Sequence, residues 1–437
     1  MPPRRSRRDP SEGHSKRSYL VHGKFLTRQW DYQHHVIPPI SSSVTYRLEN
    51  PSRAAHGFCG FADPKARDFR KAQVYIYDRL DEPTRAMLED RLAFSEGGET
   101  ALCFATGMAA IAAALGVLVR AGDEIVAHRT LYGCTYSLLT NWLARFGVRT
   151  HYADLTRPGE YEPLLRRRAV KAVYFETPIN PTMELIDIAD IARRVKRANR
   201  GRPAAGRIRT VIDNTFATPF CQRPLEHGAD LVVHSLTKNI GGFGTDMGGA
   251  VIAPRELESD LLIFRKDFGS PLSSKNAWPI LVYGLPSLDL RVRKEEHAAH
   301  RIARFLEGHP KVSRVAYPGL ASFPQLALAK RQMRDFDGNF APGSMIYFVL
   351  GGSAREADRR ADRLIRHVAK HAYTITLAVS LGQIRTLIEK PSSMTHAVVP
   401  GETQAAGRID PGGIRLSVGI EDVEDIVGDL AKALKTV

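Results

Sequence analysis

Between Tyr77 and Ala253, short apolar runs alternate with stretches of helical periodicity, and nothing else in the 437-residue chain restricts its fold as much. Runs at 101–105, 124–128, 172–175, 210–213, 230–234 and 249–253 read as strands. Among them, helical patterns fall at 84–95, 107–120, 132–146 and 186–198. Such alternation builds a mainly parallel, doubly wound sheet with helices on both faces. Ligands of such sheets sit at the carboxyl ends of the strands, so chemistry is expected just after each run.

The flanks differ. Residues 1–75 lack sustained periodicity, contain Pro38, Pro39, Pro51 and Pro64, and read as an extended arm whose first 17 residues are disordered. The arm begins MPPRRSRRDP with no apolar stretch behind it, which argues against a secretory signal. Residues 76–275 form the large domain. Residues 276–437 read as a smaller α+β domain, with a long helix at 287–306, strands at 345–350 and 414–418, and a last helix burying Val423, Ile426, Val427, Leu430 and Leu434. A chain this long exceeds one ordinary core. No apolar run approaches the roughly 20 residues of a membrane span.

Lys and Arg number 62 against 47 Asp and Glu, a net charge of +15. The basic residues are scattered and not interleaved with aromatics, so nucleic-acid binding is not expected; the field favours anionic small molecules. Cys59, Cys103, Cys134 and Cys221 form no CxxC pair, which argues against a zinc or disulfide framework and for a reducing, cytoplasmic setting. The stretch EEHAAH places Glu296, His297 and His300 on one helix face, and reads as a solvated charged face in preference to a metal site.

Five segments carry candidate chemistry. In DLVVHSLTKNIGG an apolar run ends in His234, Ser235, Thr237 and Lys238. Hydroxyls there can grip a phosphate, and the amine can attack an aldehyde where neighbours keep it partly neutral. In VIDNTFATP, Asp213 ends a strand, 25 residues before Lys238. Its carboxylate can hold a pyridine nitrogen protonated, or simply cap a turn. In CFATGMAAI the N–H groups of Gly107 and Met108 open a helix and can receive an anion. Tyr132 in LYGCTYS can stack on a ring, or be a core tyrosine. Asn180 in FETPINPT can meet a ring hydroxyl, or lie in a proline-flanked turn.

With YDRLDEPT, YPGL, SLGQIRTLIEKPSSMTH and IRLSVGIED in the same order, these segments make the chain resemble the Cys/Met-metabolism, or trans-sulfuration, family of pyridoxal-phosphate enzymes from Tyr77 to Leu430. The resemblance implies a fold-type I transferase architecture and pyridoxal 5′-phosphate held as a Schiff base on Lys238. Asp213 then pairs with the ring nitrogen, and Tyr132 stacks on the ring and serves as acid and base. Gly107, Met108, Ser235 and Thr237 hold the phosphate, and Asn180 meets the ring hydroxyl. Tyr77 and Arg79 complete the phosphate site from a neighbouring subunit, which implies a dimer at least and a tetramer by family habit. Arg415 forks onto the substrate carboxylate, beside Ser380 and Leu381.

Within the family, Cys134, Ile76 and Val379 resemble the methionine γ-lyase subgroup, since apolar residues at 76 and 379 suit a thioether tail where related lyases carry acids. The implied reaction is γ-elimination from L-methionine to a thiol, 2-oxobutanoate and ammonia. Cystathionine γ-lyase, cystathionine γ-synthase and O-acyl-homoserine sulfhydrylase are the alternatives inside the family. A cofactor-free binding protein on the same fold is the alternative outside it. Glu82, Asn239, Phe243 and Arg385 depart from the family pattern.

Overall fold

The computed structural model describes residues 13–23, 35–62, 74–397 and 401–437. The larger sheet has seven strands: β1 Thr100–Phe104, β2 Glu124–His128, β3 Arg149–Ala153, β4 Val170–Glu176, β5 Arg209–Asp213, β6 Leu231–Ser235 and β7 Gly249–Ala253. Their order is β1-β7-β6-β5-β4-β2-β3. Five neighbouring strands run parallel, and β7 alone is antiparallel to both neighbours. This is the mainly parallel sheet that the alternation implies. The exception has a cause: β6 returns to β7 without a crossover helix, which only an antiparallel pair permits. The segment between them carries Lys238.

The central strands are buried along nearly their whole length, as expected of a sheet covered on both faces. The helix Gly107–Gly116 packs against β6 and β7. Close approach there demands glycine: a Cβ on Gly249 would sit 2.1 Å from the Thr106 carbonyl oxygen, and one on Gly107 would sit 2.9 Å from Ser235 Cβ. The helix N-terminus is thereby pressed against the end of β6.

The second sheet has β8 Val312–Ala316, β9 Met345–Leu350, β10 Ile375–Leu377, β11 Thr386–Glu389 and β12 Gly413–Ser417, in the order β10-β11-β12-β9-β8. Helices Leu288–Glu307, Ala354–His371 and Val423–Lys435 bury their apolar stripes on it in one cluster. In the helix Ala354–His371 the stripe is Ala357, Ala361, Leu364, Ile365 and Val368, and Ser353 with Glu356 closes a capping box at its start.

The arm is not simply extended. It holds the helices Lys16–His22 and Pro51–Ala62. Seven residues make no stable helix alone; docking supplies the stability. Tyr19 stacks on Phe94 at 3.8 Å, Leu20 is buried, and Arg17 binds Asp289 and Asp337. Of the stretch expected to be disordered, residues 1–12 lie outside the described residues, while Lys16 and Arg17 are helical.

Candidate active site

The ends of β4, β5 and β6 and the loop before β11 converge on Lys238. Its Nζ lies 2.7 Å from Ser380 Oγ. Burial, and then Arg415 nearby, pushes the amine down to about 8. Ser380 has a positive φ of 89°, uncommon for a residue with a Cβ. It is held at both ends: its hydroxyl meets Lys238, and its carbonyl accepts from Arg415 at 2.7 Å.

Arg415, on β12, also donates to Asn180 Oδ1 at 3.0 Å and pairs with Glu389 of β11 at 3.0 Å, both partners of that pair being almost fully buried. Side by side in the ladder, Glu389 and Arg415 are register partners. His396 is buried beside them and is pushed down to about 4 by burial and by Arg415, so it stays neutral. Tyr132 precedes the helix Gly133–Ser137, and its N–H donates to Glu176 at 2.5 Å. Burial, followed by Cys134, raises its hydroxyl well above the ordinary tyrosine value, which keeps it a proton donor.

Asp213 ends β5 beside Glu176, the last residue of β4 and its register partner. Asp213 Oδ1 accepts from Thr215 N at 2.9 Å, and Oδ2 accepts from the Tyr174 hydroxyl at 3.5 Å. Burial raises both carboxyls, Glu176 to about 8. Among the described residues neither of these two buried carboxyl groups has an ion-pair partner, and a protonated pyridine nitrogen would be one. At the helix Gly107–Gly116, Thr106 caps Ala109 N at 3.0 Å, while the N–H groups of Gly107 and Met108 have no intrahelical acceptor. Ser235 flanks them, its N–H bound to Thr215 Oγ1. Thr237 stands nearby, its hydroxyl tied to the Gly248 backbone. An anion cradle, an amine and an acid for a ring nitrogen are the parts that pyridoxal phosphate requires, so the residues fit it.

Residues 18–435 match the family model of the Cys/Met metabolism PLP-dependent enzymes. The chain belongs to that family. It is 39% identical to an L-methionine gamma-lyase of Porphyromonas gingivalis over 401 residues, 91% of this chain and 92% of the relative. It is 41% identical to an L-methionine gamma-lyase of Treponema denticola over 398 residues, 91% of each. Among solved structures, a cystathionine gamma synthase of Xanthomonas oryzae pv. oryzae, in complex with aminoacrylate and cysteine, superposes with a TM-score of 0.83 at 34% identity, covering 97% of this chain and 98% of that one. The cofactor of this family is pyridoxal 5′-phosphate.

Of the other residues singled out from the sequence, Cys134 lies beside the Tyr132 hydroxyl. Tyr77 and Arg79 are exposed, with the guanidinium 5.5 Å from the ring and bound to the Lys266 carbonyl. Cys134 and Val379 are exposed. Ile76 lies against Gly57 of the helix Pro51–Ala62. The Leu381 side chain is buried in an apolar cluster with Met183, Met345 and Tyr347, so any contact with substrate falls to its backbone. Of the departures from the family, Glu82 and Asn239 are buried, and Asn239 packs on Gly382; Phe243 and Arg385 are exposed. Glu296, which the sequence sets beside two histidines, accepts from Gly343 N at 2.8 Å. Among the described residues no three His, Cys, Asp or Glu side chains group to hold a metal ion. Glu389 and His396 were missed as site residues; both lie in the LIEKPSSMTH stretch, where Glu389 ends the wholly buried β11 and His396 follows in a turn that no periodicity marks.

Proposed function

We propose that the chain eliminates the γ-substituent of a sulfur amino acid, with L-methionine as substrate and a thiol, 2-oxobutanoate and ammonia as products. The observation that carries this reading is the meeting of Lys238, Ser380, Arg415 and Asn180 at strand ends, in a chain of this family. The relatives named above as L-methionine gamma-lyases support the choice of substrate.

In this reading Gly107, Met108, Ser235 and Thr237 hold the phosphate, Asn180 the ring hydroxyl and Asp213 the ring nitrogen. The cofactor supplies an aldehyde that joins amines and an electron-withdrawing ring. Lys238 is the cofactor's attachment point and later the base at the substrate Cα, its lowered basicity leaving a usable neutral fraction. Arg415 binds the α-carboxylate, exchanging its bond to the Ser380 carbonyl for a fork onto the two oxygens. A Cβ proton is lost, the Cγ–S bond breaks with its electron pair on sulfur, and the Tyr132 hydroxyl gives that sulfur a proton. One water is consumed overall. Val379 and Cys134, neither of them acidic, leave the tail of the substrate uncharged surroundings.

Tyr77 and Arg79 are assigned to the phosphate site of a neighbouring copy, which makes the working form at least a dimer; family habit extends it to a homotetramer. The division at residues 75 and 275 and a cytoplasmic location are part of the same proposal. No helix among the described residues is long and apolar enough to cross a membrane.

The test is a substrate panel of methionine, cystathionine, homocysteine and an O-acylhomoserine with and without sulfide. Methionine should give thiol and 2-oxobutanoate in equal amounts, and Lys238→Ala should lose at least about a thousandfold in rate together with the bound-cofactor visible band. Turnover confined to the acylated homoserine with sulfide would replace this reading by a sulfhydrylase.

A further inference from the structure

β4 and β5 pair as far as Glu176 and Asp213, and there the ladder stops. The next residues part: Asn214 N turns to Val233 O of β6 at 3.0 Å, while β4 runs on through Thr177 and Pro178 to Asn180. The two segments bearing the ring-nitrogen acid and the ring-hydroxyl amide therefore have no backbone bond to fix their spacing. A side chain fills the gap. Gln222, wholly buried, donates from Nε2 to Thr177 O at 2.9 Å and to Asn214 Oδ1 at 2.9 Å. Asn214 answers, donating from Nδ2 to Gln222 O at 2.8 Å and to Glu96 Oε1 at 2.8 Å. Gln222 Oε1 accepts from Gln332 Nε2 at 3.0 Å. A carbonyl such as that of Thr177 can only accept, which fixes the amide nitrogen on the strand side. Both N–H groups of the amide are used, and its oxygen is bound.

We propose that Gln222 is a positioning residue, a side-chain rung that continues the sheet by one step and sets the spacing between Asp213 and Asn180. A rigid aromatic ring must be met at its nitrogen and its hydroxyl together, so an error in this spacing weakens both contacts. The proposal rests on the roles given above to Asp213 and Asn180.

The test compares Gln222→Met, of similar length but without donors, with Gln332→Leu, which keeps both rung bonds. Each purified protein is checked for folding by circular dichroism, stripped of cofactor and titrated with pyridoxal phosphate; the pH midpoint of the visible band is then recorded. Gln222→Met should bind about tenfold more weakly and shift the midpoint. Gln332→Leu should melt earlier yet keep the parent's affinity and midpoint. If Gln222→Met does not fold, Gln222→Glu, of the same size, is scored on the same readouts with the same expectation. A folded rung variant with the parent's affinity and midpoint overturns the proposal, as does an equal loss in Gln332→Leu. Asp213→Asn is the separate check: if its midpoint is the parent's, the assignment of Asp213 has failed, not the rung.

Discussion

Lys238 occupies a place that favours its neutral form, and this has a measurable cost when no cofactor is attached. Its basicity falls from the ordinary 10.5 to about 8, first through burial and then through Arg415. Between those two values the unfolded chain binds more protons than the folded one, so stability rises with pH across that window. Below about 8 the cost of the buried ammonium is present in full. Cofactor-free Lys238→Met should therefore melt above the cofactor-free parent at pH 7, and the gap should close as pH rises from 8 to 10.5. A gap that stays constant with pH would show that the amine is not perturbed. The positions of Asp213 and Lys238 were legible in the sequence because one apolar run stops at Asp213 and another stops shortly before the segment that carries Lys238. Gln222 left no such mark: its role depends on the Thr177 carbonyl, and a backbone oxygen has no letter in a sequence.

Among the elements, the helix Pro83–Glu96 shows how a departure from the family pattern is accommodated. Glu82 is its N-cap, accepting from Thr84 N at 2.8 Å and Arg85 N at 2.5 Å. A carboxylate suits a helix N-terminus, yet burial pushes this one up to about 7 against the pull of Arg85. The folded state then holds a proton that the unfolded chain has lost between 4.5 and 7, and stability falls as pH rises through that range. Glu82→Asn keeps a good cap without the charge; its melting temperature should gain on the parent from pH 5 to pH 7.5, and a pH-independent difference would refute the argument. The helix Gly107–Gly116 makes a different prediction. A methyl at Gly107 meets Ser235 Cβ at 2.9 Å and its Cα at 3.1 Å, so one of the two segments must move. Gly107→Ala should weaken pyridoxal phosphate binding by about tenfold or more, read by titration of the cofactor-free protein. Elements with buried apolar runs were readable, β2, β7 and β9 to the residue. β3 was not: it lies at the sheet edge, mostly uncovered, and its RTHYA sequence carries no apolar run. The pattern at 132–146 was read as one helix, but it changes from α to π at Leu138 and to 3-10 at Ala144, a break that side-chain periodicity hardly shows.

For the whole molecule, the placement of Tyr77 and Arg79 decides how many copies make one site. Both are exposed, their ring and guanidinium are within cation–π distance of each other, and Arg79 reaches the Lys266 carbonyl at 3.2 Å, on the outer helix Glu258–Asp267. The helix Lys16–His22 shows how an arm can instead close on its own chain: Arg17 ties it to Asp289 and Asp337, and Lys16 to the Ser95 carbonyl. The sequence could say that the arm is polar and proline-rich, but not which part docks, because docking depends on ion pairs with residues about 270 to 320 positions away. If Tyr77 and Arg79 serve a second copy's phosphate site, two defective chains can repair each other. A Lys238→Ala chain still lends its Arg79, and an Arg79→Ala chain still holds its Lys238. In a two-fold dimer of the two, one site has both defects and the other has neither. Equal amounts of the variants, dissociated and reassembled together, should recover about a quarter of the parent's activity, since half of the dimers are mixed and each has one whole site. Each variant reassembled alone should stay near its own low level. Recovery no greater than the average of the two would place both residues outside any shared site, and the dimer would no longer be required for catalysis.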